Sequence, residues 1–329
     1  LISLDRSMAI PHLFAAATLA ASVFCSSAQA GVAVRVTILG EVEFNGINSG
    51  PLSNVGNGEG VTMSFLLDTD DFLNSPNFPT RGYAIDQGSF SMAFAAGAIG
   101  LQNPFPAGDT PYFVLRDNDP AVDGFLLSTN VDFPEGVPTN QNGGFGKFVD
   151  NWYVTYGGDA LPSLDLLDAL GSYDFTGLTV FNWSLDDGPF QAMLVVFESM
   201  TIEIEGSAWT DEGCALAGVD GDPRLIGLGD LSSGSSNAVE LAHAAPGALA
   251  GLFLALGPTT PAPFKGGTLK PVPLLIEPIL FPSTFGGDLS IPFSMPAGVP
   301  AGTELVVQMA IQDGAAPQGV SLSNAIAGV

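Results

Sequence analysis

YDFTGLTVFNWSLDDGPFQAMLVVFESMTIEIEG, Tyr173 to Gly206, is the stretch whose reading decides the fold. Met200, Ile202 and Ile204 alternate with Thr201, Glu203 and Glu205, the two-residue period of a strand with one wet face. Upstream, Thr179, Phe181, Trp183 and Leu185 share one side of a second strand, and Asp186-Asp187-Gly188 supplies an Asp-Gly turn between the two. The pattern predicts an antiparallel hairpin. Almost no helical period appears elsewhere, so the hairpin sets the style of the whole chain.

Composition points the same way. The 329 residues include 41 Gly and 25 Pro, with only 13% charged, a chain of short strands joined by turns. Its length suffices for two domains, each with its own core. The expected fold class is all-β: two antiparallel β-sandwich domains, jelly-roll-like or Ig-like, in tandem after an N-terminal signal peptide.

The leader is read from residues 1–30. Arg6 precedes an apolar run, Ile10 to Phe24, which ends in Ser-Ser-Ala28-Gln29-Ala30 before Gly31, an A-x-A cleavage pattern. That run is shorter than the roughly 20 residues of a membrane span, so no span is expected after cleavage. Cys25 does not read as a lipidation site, because Phe24 stands where a small residue belongs. Cleavage removes Cys25 and His12 and leaves Cys214 and His243. No internal disulfide can then form, and most nucleophile-plus-base and metal-ligand sets are gone.

An acidic domain is expected over 31–206, a small polar linker over 207–213 and a second domain over 214–329. From Gly31 to Gly213 there are 25 acidic against four basic residues, net −21; from Cys214 onward, eight against three, net −5. Nucleic acid and anionic membrane would be repelled by such a surface. In the first domain, strands are expected over Val32 to Phe44, Val61 to Leu67, Ser89 to Ile99, Tyr112 to Arg116, Gly124 to Ser128 and Phe148 to Tyr156. Leu161, Leu164, Leu166, Leu167 and Leu170 suggest a helical turn or two. In the second domain, strands are expected over 224–231, 238–244, 248–256, 271–280, 287–293 and 304–312.

Several stretches carry a resemblance. GEVEFNG, SFLLDTDDF with PTRGYAIDQGSFSMAF, and DNWYVTYGGDALPSLDLLDALGSYDF resemble bacterial exported proteins of the PEP-CTERM-associated type. The second domain, through AVELAHAAPGALAGLFLALG, PFKGGTLKPVPLLI and LSIPFSMPAGVPAGTELVVQMAIQD, is similar to a β-rich module of planctomycete-like and myxobacterial-like exported proteins. The likeness implies export and a β-rich fold, and it offers no active site to carry over. The Pro-Glu-Pro tail with its terminal span is not seen here.

Candidate sites follow from residue chemistry. Asp68, Asp70 and Asp71, then Asp117, Asp119 and Asp123 in DNDPAVDG, then Asp220 and Asp222, are clustered carboxylates of the kind that bind Ca²⁺ through oxygen. None matches the D-x-[DN]-x-[DN]-G loop, and Asp, Asn and Gly are also what turns are made of. Trp152 and Tyr156 share strand parity and could form an aromatic platform for a sugar ring, with Tyr153 opposed; ordinary core and cross-strand aromatics are the reading the pattern favours, since aromatics are enriched in strands. His243, in an alternating run, reads as a structural histidine, and Cys214 as an idle thiol or a link between chains. The expected function is an exported structural or adhesive protein, at the cell surface or in the extracellular matrix, that is not an enzyme. Extracellular polysaccharide or other surface proteins are the expected partners. A glycan- or Ca²⁺-dependent binding module is the alternative, and a secreted hydrolase using paired carboxylates the third reading.

Overall fold

The computed structural model describes residues 31–119, 122–157, 160–176, 178–180, 185–187 and 191–329. The expected leader, and Phe181, Trp183 and Gly188 of the quoted hairpin, lie outside them. Among the described residues the chain is all-β with antiparallel pairing, and its helical content is two short 3₁₀ turns, Pro51–Asn54 and Pro317–Gly319. No helix among these residues is long and apolar enough to cross a membrane.

The first half consists of β1 (Ala33–Asn45), β2 (Gly60–Asn74), β3 (Thr80–Ile85), β4 (Ser91–Phe94), β5 (Gly97–Ile99), β6 (Tyr112–Arg116), β7 (Val122–Ser128), β8 (Val137–Asn142), β9 (Lys147–Asp150), β10 (Tyr153–Gly157), β11 (Gly171–Asp174), β12 (Thr179–Val180), β13 (Leu185–Asp186) and β14 (Ala192–Ile204). They join in one sheet along the path β12-β10-β7-β6-β3-β2-β1-β14-β13-β9-β8. Isolated bridges from Ser128 to Gly136 and from Leu101 to Thr139 bring distant parts of that path back together, so the sheet curls around its core. Alternation sets its middle: Val34, Val36 and Ile38 of β1 are fully buried beside Phe65, Met63, Met200 and Ile202. Each such side chain contributes about 1.5–3 kcal/mol by leaving water. A bulge at Glu198 reverses the parity of β14, so that Val195 and Phe197 point inward with Met200 and Ile202.

The second half holds β15 (Trp209–Gly213), β16 (Arg224–Leu228), β17 (Ser236–Ala242), β18 (Leu249–Leu256), β19 (Ala262–Phe264), β20 (Gly267–Leu269), β21 (Ile279–Pro282), β22 (Leu289–Ser294), β23 (Leu305–Gln312), β24 (Val320–Leu322) and β25 (Ala325–Gly328). One sheet runs β15-β25-β23-β18-β21 with β24 beside β23, and a second runs β16-β17-β22. Leu225, Val239 and Leu241 from the smaller sheet share a core with Leu252, Val307 and Met309 from the larger. The buried cores separate along the chain, one drawn from Val34 to Ile202 and the other from Trp209 to Ile326.

Local expectations are corrected in several places. Val61 to Leu67 does not end at the acidic run: β2 continues to Asn74, and Asp68 to Asp71 form a wide bulge, four residues facing Ala84 alone between the pairs Leu67–Ile85 and Phe72–Tyr83. Asp186 pairs with Ala192, and Gly188 of the expected Asp-Gly turn lies outside the described residues. Ser89 to Ile99 folds back as the β4–β5 hairpin, with Gly97 at φ 139 where other residues are strained. Phe148 to Tyr156 breaks at Asn151-Trp152. The leucine-rich segment forms turns and no helix. Residues 207–213 are not a linker: Trp209 enters the second core and Trp209–Gly213 pairs with Ala325–Gly328. Of 271–280, only Ile279 onward is strand, because Pro271, Pro273 and Pro278 remove ladder donors.

Candidate functional site

The chain's polar chemistry concentrates where the turn at 161–170 meets the smaller sheet of the second half. Three side chains of the first half hold that turn in place. Asp123, fully buried, accepts N–H groups from Ala160, Leu161 (2.7 Å) and Asn118 (2.8 Å). The Tyr83 hydroxyl donates to the Leu164 carbonyl (2.8 Å) and accepts from the Leu166 N–H (2.9 Å), and the Tyr173 hydroxyl donates to the Ala169 carbonyl (2.7 Å). Leu161 and Leu166 bury beneath, which fixes the turn from its apolar side as well.

What the turn presents outward is Asp168. Its Oδ1 lies 3.1 Å from Nε2 of His243, and its Oδ2 accepts the Ser163 hydroxyl at 2.6 Å. The Arg224 guanidinium, at the start of β16, donates to the Asp168 carbonyl (2.9 Å) and the Leu170 carbonyl (2.6 Å). Burial would push the Asp168 carboxyl up, but the hydrogen bonds from His243 and Ser163 and the charge of Arg224 hold it below the usual range. The hydrogen bond to Asp168 raises the His243 imidazole above its ordinary value, against the effect of burial. His243 itself sits just past the end of β17 at φ 56, a left-handed conformation that turns its ring toward the other half. These contacts form a clasp between the halves.

An open cleft of about 500 Å³ lies beside it, lined among others by Asp165, Asp168, Arg224, Glu240, His243 and Asp288. A second cavity, about 470 Å³, lies on the other side of Arg224, against Trp209 and β14. The order of bonding limits the chemistry. Ser163 and His243 each bond to Asp168 and not to each other, so the imidazole is not positioned to take the hydroxyl proton as a serine nucleophile requires. Asp168, kept ionised, is not the proton-holding carboxyl that glycoside hydrolysis needs.

The residues singled out from sequence are placed elsewhere. Asp68 is exposed and caps its own bulge, accepting the Asp70 N–H at 2.8 Å; Asp71 is exposed beside it. Asp117 accepts from the Asn118 side chain (2.7 Å), and Asp119 pairs with Arg116 at 3.7 Å. Asp123, expected in the same cluster, is turned inward with its oxygens occupied by backbone donors. Asp220 and Asp222 are exposed. Among the described residues no three His, Cys, Asp or Glu side chains come together as metal ligands. The aromatic platform is corrected outright: Trp152, just before β10, is 0% exposed, stacked on Phe113 and edge-on to Phe197, buried on the same side as Val154 of that strand. Tyr156 is half-buried against Phe125, Tyr173 and Phe175, and burial raises its phenol. Cys214 is a free thiol, half-buried, whose carbonyl receives the Gln308 amide at 3.4 Å.

Arg224 and Asp168 escaped notice because they meet across 56 residues and no spacing rule links them. One signal was available: the chain has only eight Lys and Arg, so each deserves a search for its partner. Asp150 was missed too. It is fully buried, accepts the Trp152 N–H at 3.2 Å through Oδ1, and its Oδ2 has no partner among the described residues. Burial pushes its carboxyl up to about 7. No family model matches the chain, and no curated protein and no solved structure matches it either.

Proposed function

We propose that the chain is an exported protein with a structural or adhesive role at the cell surface or in the extracellular matrix, and that it is not an enzyme. One observation carries this reading: an acidic protein keeps a run of large apolar side chains in water at one edge of its second half, with Leu280 60% and Phe285 97% exposed. Monomeric proteins seldom expose contiguous apolar patches of several hundred Å² without a contact to make. The reactive groups support it, since Ser163 and His243 are both taken up by bonds to Asp168, an order that suits fastening. Export itself rests on the leader pattern and on the resemblance to exported proteins. The test is retention: the purified chain should bind cell-envelope or matrix fractions, and Leu280→Asp with Phe285→Asp should abolish that binding. Equal retention of wild type and variant would refute it.

A second reading, a glycan- or Ca²⁺-dependent binding module, draws on the polar cleft beside the clasp. Polysaccharide pull-downs and melts with millimolar Ca²⁺ or chelator test it. Binding lost in Glu240→Gln or Asp288→Asn would favour this reading over the first.

A further inference from the structure

The apolar edge has a definite shape. β21 is the end strand of the larger sheet, paired on one side with β18. Leu274, Leu275, Ile276, Ile279, Leu280 and Phe285 are all exposed along it. Continuity follows from pairing: the Leu275 N–H bonds to the Leu254 carbonyl, Leu249 stands opposite Pro282, and Phe285 lies over Gly247. Phe281 and Ile279 share the parity that faces Ala250 and Leu252, and Phe281 packs on the core; Leu280 points to the opposite face, over Gly251.

Two exposed aromatic rings elsewhere already have partners. Phe72 lies under the Arg81 guanidinium at 4.4 Å, and Phe133 packs edge-on to Phe78. The edge does not invite a new strand. Pro278 and Pro282 bracket it and donate no N–H, which blunts ladder extension while leaving the side chains free to pack.

We propose that this edge, Leu274 to Phe285, is where two copies of the chain pack side chain to side chain about a two-fold axis. The proposal deepens the adhesive reading and rests on it: the contact the edge makes is with a further copy of the chain, and retention on an envelope or matrix fraction is retention on copies held there. Two features select a second copy. A two-fold contact needs a self-complementary surface, and an apolar one meets that condition without further design. Between Lys270 and Asp288 the only charge is Glu277, in a chain of net charge −26; this is where two such chains approach with least repulsion and where a basic partner finds least to hold.

The experiment is sedimentation equilibrium of the purified chain, wild type against Leu280→Asp and Phe285→Asp, with Leu39→Asp as a control on the other half. Phe285 is nearly free in water, so its replacement leaves the fold intact, and circular dichroism checks this. The wild type should dimerise with Kd of about 1 μM or tighter. Either edge variant should weaken that at least tenfold, and Leu39→Asp should leave it unchanged. Raising salt should tighten the dimer, since it screens the shared negative charge. A wild type that stays monomeric, or a dimer that tolerates both edge variants, overturns the proposal. If the monomeric wild type still binds envelope fractions through the edge, the adhesive reading survives without the dimer; if it neither dimerises nor binds, both fall.

Discussion

Asp150→Asn isolates the energetic consequence of one buried carboxyl. Asp150 is fully buried, one oxygen accepts the Trp152 N–H, and burial lifts its pKa to about 7 from an ordinary value of 3.8. The folded-state value lies above the unfolded one, so its contribution to stability is fully present below the unfolded pKa. It is lost as pH rises through the folded one. Across the window between those values the unfolded chain gives up its proton while the folded chain keeps it. Each pH unit there removes about 1.4 kcal/mol, and the whole window amounts to a ceiling of about 4 kcal/mol. The asparagine keeps an acceptor for Trp152 and does not titrate. It places N–H donors where Oδ2 has no partner, a pH-independent cost of about 1–3 kcal/mol. Urea unfolding of both proteins, from about pH 4 to about pH 9, should therefore show a stability difference that drifts by up to about 4 kcal/mol in favour of the variant and levels off above about 7. Every other titrating group cancels in that difference. A difference that stays flat over the range refutes the account of Asp150.

The clasp yields further expectations. Arg224→Ala removes two charge-assisted hydrogen bonds to the Asp168 and Leu170 carbonyls, and should lower stability by about 3–5 kcal/mol in urea unfolding. In an NMR titration, His243 should show a midpoint above the ordinary imidazole value of 6.5, and Asp168→Asn should bring it down. Its contribution is present below the unfolded pKa and fades as pH rises through the folded one, whereas that of Asp168, whose pKa is lowered, fades as pH falls through its folded value. The clasp is thus strongest in mildly acidic solution. Tyr83→Phe deprives Leu164 and Leu166 of their partner, and should cost about 1–3 kcal/mol and raise hydrogen exchange through the 161–170 turn.

The strands with a clean two-residue period were legible: Val34, Val36 and Ile38 in β1, and Met200 and Ile202 in β14, all fall inward as their alternation requires. Tyr112–Arg116 is a strand over the very residues expected. What was hidden depended on a distant partner. Trp209–Gly213 is too short and too acidic to announce itself, and becomes a strand because Ala325–Gly328, more than 100 residues later, supplies its hydrogen bonds. β8, VPTNQN, looks like a loop, yet Val137 and Thr139 bury beside β9. Conversely, 271–280 is apolar enough for a strand, and its prolines were the warning against it. The carboxylates were legible as clusters in sequence but not in space, since neighbours in a bulge or turn point to different sides. Asp123 faces the interior while Asp119 reaches Arg116. The clasp was illegible because its residues are drawn from both halves.

β25 lies between β15 and β23. The larger sheet of the second half is therefore joined, one strand in from its edge, by residues synthesised after nearly everything around them. Until Ala325–Gly328 has left the ribosome, β15 has no neighbour and Ile326 is missing from the core, so assembly of this half waits for translation to reach its final strand. The first half has the same habit, with its opening strand held by its closing one, β1 against β14. Each half thus completes its sheet only when its last strand is in place.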